Sequence, residues 1–378
     1  MLVLELAVGF FLALWVLDAF LRLLWAVVGK SATPPKQLPL GSVVVLIPSR
    51  SEGAKVRATL ESVTTQQAEV SVVPILVLDG PDPEAEAEAR ALGVDVLLKP
   101  DPGPTKAAAL QFAARARREI IQRHEAVLIL DVGSQLAPDF FQHLSWPEGA
   151  DALQVPLLGH GLGPAKAAGL SEHLAQEVWD RGKQALGWSV RLRGTGTLFR
   201  SQVFLEVIPA LETRIEDTET SLLMAARGWR AALYLGKAFV LDEKPSTSWH
   251  ASRQRARWLV GQWELVWRKR RELLRLLRRR PLEGLAWIAM LASRPLSLTV
   301  PLRLAFGLFL AYGAWQREDE VLFVFGLLGA GSALAEVSWL AIRHPSTLVP
   351  ACQLVWAWVK AVALAPWAQA RWLKGRGK

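Results

Sequence analysis

The chain has 378 residues, of which 51% are hydrophobic, with a formal net charge of +9. That length leaves room for one large domain plus membrane helices, or for two ordinary domains, and the single cysteine, Cys352, excludes an intramolecular disulfide and any cysteine-cluster metal site. The 17 Trp against 2 Tyr suit membrane interfaces, and because no basic run alternates with aromatics on a strand, the positive charge points to anionic lipid or an anionic substrate and not to nucleic acid.

Residues 2–28 are almost wholly apolar and long enough to cross a bilayer. Asp18 and Arg22 interrupt the run at i,i+4 spacing, so they are expected to pair on one helix face. A signal peptide is the rival reading. No basic n-region and no A-x-A-like site stands before Lys30, which favours a retained anchor. Ser31 to Pro39 reads as a short polar linker.

From Gly41 to about Pro245 the pattern changes. Val43–Ile47, Ser71–Leu78, Val94–Leu98 and Ala126–Leu130 read as strands, and Lys55–Gln66, Pro83–Ala91 and Thr105–His124 read as helices. Buried parallel strands show such continuous Val/Ile/Leu runs, separated by crossover helices. The expected result is an open α/β sheet that binds ligands at the carboxyl ends of its strands.

Arg268 to Arg280 is dense in Arg and Lys, interleaved with Leu273, Leu274, Leu276 and Leu277. It reads as a basic amphipathic helix on an anionic membrane face, the alternative being a solvated helix. Trp287–Leu291 is either an interfacial piece or the start of the next span. Three apolar runs follow, at Leu296–Ala314, Val321–Ile342 and Leu348–Ala368, which makes about four membrane crossings in all. Lys30, Lys36 and the Arg268–Arg280 cluster put the central domain on the cytosolic side. A full span at Leu348–Ala368 would leave the basic tail Arg371–Lys378 outside, so a re-entrant or interfacial last helix is the alternative there.

The chemistry gathers at strand ends. Glu52 follows the first strand, Asp79 the second, and Asp131 a later one. Each alone would be a turn or cap residue; three in register mark a ligand site. The second half adds Glu216, Asp217 and Glu219, then Gln254, Arg257 and Trp258. His160 and His250 read as loop histidines, and Glu84–Glu88 as a solvated helix face.

In this order the motifs resemble the family-2 glycosyltransferases, in particular the membrane branch with a Q-x-x-R-W motif that includes cellulose, hyaluronan and poly-N-acetylglucosamine synthases and several lipid glycosyltransferases. The resemblance covers about Val43 to Gly261. It implies a GT-A α/β fold, an open mixed sheet with flanking helices, and transfer with inversion from a UDP-sugar. Pro48, Arg50 and Glu52 then line the nucleoside pocket, with Ser51 where Asn is usual, and Asp79 accepts from the uracil ring. Lys106 neutralises donor charge; Thr105 and Gln111 replace the Gly and Asn of that segment.

Asp131 matches the first residue of the D-x-D motif, which holds Mg²⁺ or Mn²⁺ on the diphosphate. The second carboxylate is replaced by Gly133, so metal dependence is left open. Asp217 matches the base that takes the acceptor proton, with Glu216 and Glu219 as alternatives. Gly194, Thr195 and Gly196 match the stretch beside the acceptor. Gln254, Arg257 and Trp258 match the segment that closes the site near the membrane, Arg257 facing the diphosphate and Trp258 the acceptor.

The resulting expectation is a multi-pass enzyme of the bacterial cytoplasmic membrane that glycosylates a lipid or lipid-linked acceptor. Its divisions are an anchor at 1–29, a cytosolic catalytic domain at 30–262, an interface helix at 263–281, membrane helices at 282–370 and a tail at 371–378. A compact processive polysaccharide synthase is the alternative. A catalytically impaired scaffold that only binds a nucleotide sugar is the alternative of another class, motivated by Gly133.

Overall fold

A computed structural model of the chain describes residues 2–29, 35–67, 69–160, 164–243 and 248–343, with a few between 359 and 366. The expected strands are present: β1 (Ser42–Ser49), β2 (Ser71–Asp79), β3 (Asp95–Lys99) and β4 (Ala126–Ile129). They are joined by β6 (Ala152–Gln154), β8 (Thr197–Arg200) and β9 (Ala231–Leu233) in a seven-stranded sheet of order β9-β6-β8-β4-β1-β2-β3. β1 pairs in parallel with β2 and β4, while β8 runs antiparallel to β4 and β6, so the sheet is mixed. A smaller sheet places β10 (Val240–Glu243) between β5 (Ser134–Leu136) and β7 (Leu157–His160).

Both faces of the main sheet are covered. Alternate side chains of a strand leave opposite faces. Val43, Val45 and Ile47 thus pack with Val56, Leu60 and Val63 of α2 (Val56–Thr64) and Ala85 and Ala89 of α3 (Pro83–Ala91). Val44 and Leu46 pack with Leu110 and Ala113 of α4 (Lys106–Ala116) on the other face. The helix expected over Thr105–His124 breaks at Arg117, whose guanidinium leaves to meet Asp95 at 2.9 Å.

Beyond the sheet, α5 (Pro164–Leu174) runs through a π-helical stretch, Ala175–Asp180, into α6 (Arg181–Ala185). Next come α7 (Glu216–Arg227), α8 (Ser248–Arg268) and α9 (Arg270–Arg279). The basic cluster is divided between α8 and α9. Lys269 at the joint is buried, 3.0 Å from Glu219 and 3.3 Å from Glu212. Leu273 and Leu276, two leucines expected to face a membrane, pack instead on Leu222 and Ala225 of α7 and on Trp287 and Met290 of α10 (Pro281–Ser293); Leu274 stays exposed. The apolar stripe of α9 is largely used up inside the protein.

Among the described residues, three helices are long and apolar enough to cross a membrane: α1 (Leu2–Val28), α11 (Leu296–Trp315) and α12 (Glu320–Arg343). The run at Leu348–Ala368 lies mostly outside the described residues. Gly307 and Gly326 let α11 and α12 touch closely, since a Cβ on Gly307 would stand 2.7 Å from the Gly326 oxygen. The expected Asp18–Arg22 pair forms, and Glu336 of α12 joins it at 2.9 Å from Arg22.

Candidate active site

The turn after β1 is set by backbone shape. Ser51 has φ 53°, a left-handed conformation that Asn tolerates better than most residues; that is a physical reason for Asn at this place. Asp82 holds the turn, accepting from the Glu52 and Gly53 N–H groups at 3.0 and 3.1 Å, and it caps α3 through Ala85 at 3.2 Å. Pro48, next to last in β1, is half-buried. Arg50 bonds the Asp79 carboxylate and the Gly103 carbonyl. Asp79 also accepts from the Gly103 N–H at 2.8 Å and faces Lys99 at 3.2 Å. Its carboxylate is 5% exposed and fully engaged, so a nucleobase could use it only after Arg50 moved. Glu52 points elsewhere, 3.9 Å from Lys55.

A second group forms where β4, α4 and α7 meet. Lys106, in the first turn of α4, bonds the Asp131 carboxylate, donates to the Gly194 carbonyl at 3.0 Å and stands 3.9 Å from Glu216. Burial pulls Lys106 down, yet the Asp131 and Glu216 carboxylates outweigh it and hold the lysine above its usual range. Glu216 and Asp217 open α7, where the helix dipole favours negative charge. Glu216 is raised above the usual carboxylate range, chiefly by burial and further by Asp217, against the pull of Lys106 and Arg257. Asp217 accepts from the Thr218 N–H at 2.7 Å and lies 3.7 Å from Arg191. Glu219, the other alternative base, is turned away: it is fully buried and accepts from the backbone of Glu212 and Thr213.

The Gly194-Thr195-Gly196 loop ties these parts together. Gly194 has φ 84°, and a Cβ on it would stand 3.6 Å from Asp217 Cβ and 3.4 Å from Lys106 Nζ. The glycine lets backbone enter the cluster. Thr195 Oγ1 accepts from the Asp131 N–H at 3.1 Å and donates to Ser134 Oγ at 3.0 Å. Gly196 bonds back to the Ile129 carbonyl at 2.9 Å.

Gln254, Arg257 and Trp258 lie on α8. Gly261 allows α8 to press on the segment just before the acidic pair, for a Cβ there would meet Ile215 Cγ2 at 2.6 Å. Arg214 and Glu264 clamp the same crossing at 3.3 Å. Arg257 is exposed and near enough to act electrostatically on Glu216. Trp258 is 39% exposed, and Gln254 is half-buried.

The sequence profile described as "Glycosyltransferase like family 2" matches residues 39–261, more than half of the chain and the whole region that carries these residues. The chain belongs to this family. The mannosyltransferase PcManGT from Pyrobaculum calidifontis, solved with GDP-Man and Mn²⁺, aligns over 96% of this chain and 98% of its own, with TM-score 0.54 and 14% identity. At that identity the likeness speaks for the fold alone. Glucosyl-3-phosphoglycerate synthase from Mycobacterium tuberculosis covers 68% of this chain and 82% of its own, at 16% identity and TM-score 0.38, too low to carry an argument. A comparison with curated proteins finds no match.

The glycosyltransferase's strand-end carboxylates bear on a divalent metal. Among the described residues no group of three or more His, Cys, Asp or Glu is arranged to hold an ion. Asp131 is 40% exposed and held by Lys106. Gly133 has no side chain, but Glu243 of β10 comes to it: the Glu243 Oε2 stands 3.5 Å from where a Gly133 Cβ would be. This donor set fits a hard cation that takes most of its ligands from phosphate and water. It does not fit a cage built by protein alone.

Arg191, Asp82 and Glu243 escape the motif-based reading. Arg191 had a weak signal in the Arg191-Leu192-Arg193 alternation that leads into Gly194. Glu243 had none, because only the β5–β10 pairing brings it to Gly133.

Proposed function

We propose that this glycosyltransferase moves a hexosyl unit, with inversion, from a nucleoside-diphosphate sugar to a membrane lipid or lipid-linked acceptor. The family resemblance favours a UDP-sugar. The observation that carries the reading is the meeting of Lys106, Asp131, Glu216 and Asp217 with the Gly194 backbone at the strand ends. Asp217 takes the acceptor hydroxyl proton while that oxygen bonds the anomeric carbon and the carbon–diphosphate bond breaks on the opposite face. Lys106 and Arg257 offset charge on the departing diphosphate. A divalent cation, Mg²⁺ or Mn²⁺, would neutralise the diphosphate further when bound, with Asp131 and Glu243 as the residues to hold it. Pro48, Arg50, Glu52 and Asp79 take the nucleoside side, which requires the Arg50–Asp79 contact to open. Gly194, Thr195 and Gly196 border the acceptor, and Gln254, Arg257 and Trp258 close over it.

The three apolar helices support a multi-pass membrane enzyme. The positive-inside tendency supports a cytosolic side for residues 30–262, with the exposed basic face of 263–281 at the interface, 282–370 as membrane helices and 371–378 as the tail, in what we read as a bacterial cytoplasmic membrane. The test is a donor screen on membranes holding the full chain, with UDP-sugars and GDP-mannose, Mg²⁺ or Mn²⁺, and mass spectrometry of lipid and polymer products. A glycolipid supports the reading, and a long glycan favours the processive alternative. No nucleotide release from any donor would leave the nucleotide-sugar-binding scaffold.

A further inference from the structure

A cleft outside the donor site lies where α1, α6 and α10 meet. Trp25, Lys183, Trp188, Arg191, Glu283 and Trp287 are among the residues lining it. Two glycines make the cleft possible. A Cβ on Gly182 would stand 2.2 Å from the Trp25 carbonyl oxygen, and one on Gly29 would stand 2.9 Å from the Gly182 nitrogen. This close crossing sets Lys183 Nζ 4.8 Å from the Trp25 ring centroid, with Trp188 edge-on to the same indole at 6.0 Å.

Two donors in the wall meet no acceptor among the described residues. One is the Trp25 indole N–H, on a side chain only 1% exposed; the other is Arg191 Nε. Buried donors without acceptors are costly, and two of them beside a lysine suit a ligand rich in acceptor oxygens. Glu283 does not fill that need, because it already accepts from the Ser189 N–H and from Arg280, both at 3.2 Å. Lys183 is held below its usual range, first by burial and then by Arg294 and Arg193, although Asp180 opposes them. A further anion would relieve that crowding.

The position narrows the ligand. Trp25 lies in the last turns of the apolar span Leu6–Val28, the level where indoles and lipid headgroups meet. Arg191 also reaches the other way, 3.7 Å from Asp217 and donating to Thr218 Oγ1 at 3.1 Å. We propose that this cleft binds the phosphate of a phosphoester lipid and so presents that lipid's free hydroxyl to Asp217 as the acceptor. The proposal rests on the transferase reading and names its acceptor class. In the transfer the hydroxyl proton goes to Asp217, its oxygen bonds the anomeric carbon and the diphosphate departs with the electron pair of the broken bond; the phosphoester is unchanged.

The test uses the full chain in detergent and counts bound lipid by native mass spectrometry. Phosphatidylglycerol carries phosphate, hydroxyl and tails; diacylglycerol lacks the phosphate; glycerol 3-phosphate lacks the tails. Phosphatidylglycerol is expected to bind about tenfold more tightly than diacylglycerol, the worth of one charge-assisted hydrogen bond. Trp25→Phe, which removes the N–H and keeps a ring, and Lys183→Gln should each erase most of that preference while UDP affinity stays as in the wild type. Equal binding of the two lipids overturns the proposal, as does a preference untouched by both variants. Glycerol 3-phosphate bound as tightly as phosphatidylglycerol also overturns it, because the ligand would then be a soluble phosphoester. UDP release is measured in parallel. Equal binding of the two lipids by the wild-type chain with normal UDP release sinks the cleft alone, whereas no release from any donor sinks the transferase reading and this proposal with it.

Discussion

Charge is buried among the apolar helices and again at the strand ends, and the two clusters are built differently. Between α1, α11 and α12, Asp18, Arg22, Arg303 and Glu336 set two positive charges against two negative ones. Arg303 lies 2.7 Å from Glu336 and donates to the Trp15 and Ser332 carbonyls at 3.2 Å. All four side chains are at most 17% exposed. At the strand ends one side is open: Lys106 bonds Asp131, but Lys106–Glu216 is 3.9 Å, Arg191–Asp217 is 3.7 Å, and Asp131 is 40% exposed. A charge group closed to solvent in an apolar surround serves the fold, because opening it leaves an uncompensated charge. A loose group on an open face can exchange an internal contact for a ligand.

Substitutions on each side can break that contrast. Asp217→Asn should cut transfer by about 10²–10⁴-fold, the usual worth of a positioned base, with UDP still bound; turnover near wild type would move the base to Glu216. Arg303→Met should act on stability instead. It leaves Glu336 with Arg22 as its remaining cation, and breaking such a pair costs about 3–5 kcal/mol. Thermal unfolding in detergent measures this. The double variant Arg303→Met with Glu336→Leu should recover much of the loss, because the remaining Asp18–Arg22 pair is neutral. A smaller effect is expected from Gly261→Ala. The added methyl would meet Ile215 at 2.6 Å, so α8 must shift, at about 1–3 kcal/mol for overpacking. Turnover should fall through displacement of Arg257 and Trp258, and a fully active Gly261→Ala enzyme would detach α8 from the site.

Much of this was legible in the chain, for a definable reason. Strands buried on both faces show as unbroken runs such as Val43–Ile47, and the turn beyond each must carry the polar groups that meet a ligand. Asp79, Asp131 and Asp217 could therefore be found one strand or helix at a time. What pairwise folding decides was not legible. Arg50 locks Asp79, Lys269 leaves the basic cluster to pin Glu219, and α7 and α10 cover the leucines of α9. None of these follows from local periodicity, since each depends on how separate elements pack on one another. Glu243 shows the limit most clearly: the D-x-D pattern registers a missing carboxylate at Gly133, and only the sheet register returns one to that place.

The smallest expected effect concerns Glu216, and its sign separates the two kinds of burial. Burial raises this carboxyl above its ordinary value of 4.5. Between that value and its raised one, the folded protein holds a proton that the unfolded chain has lost. Stability must then fall as pH rises through that window, since the state that binds more protons is the one that acid favours. Glu216→Gln has no proton to lose, so its unfolding temperature should vary less over the weakly acidic range than that of the wild type. The fluorescence-detected melting point, followed upward from pH 4.5, reads this directly. An identical slope in both proteins would mean that Lys106 and Arg257 neutralise Glu216 fully. The strand-end cluster would then be as closed as the one between the apolar helices, and the contrast between them would fail.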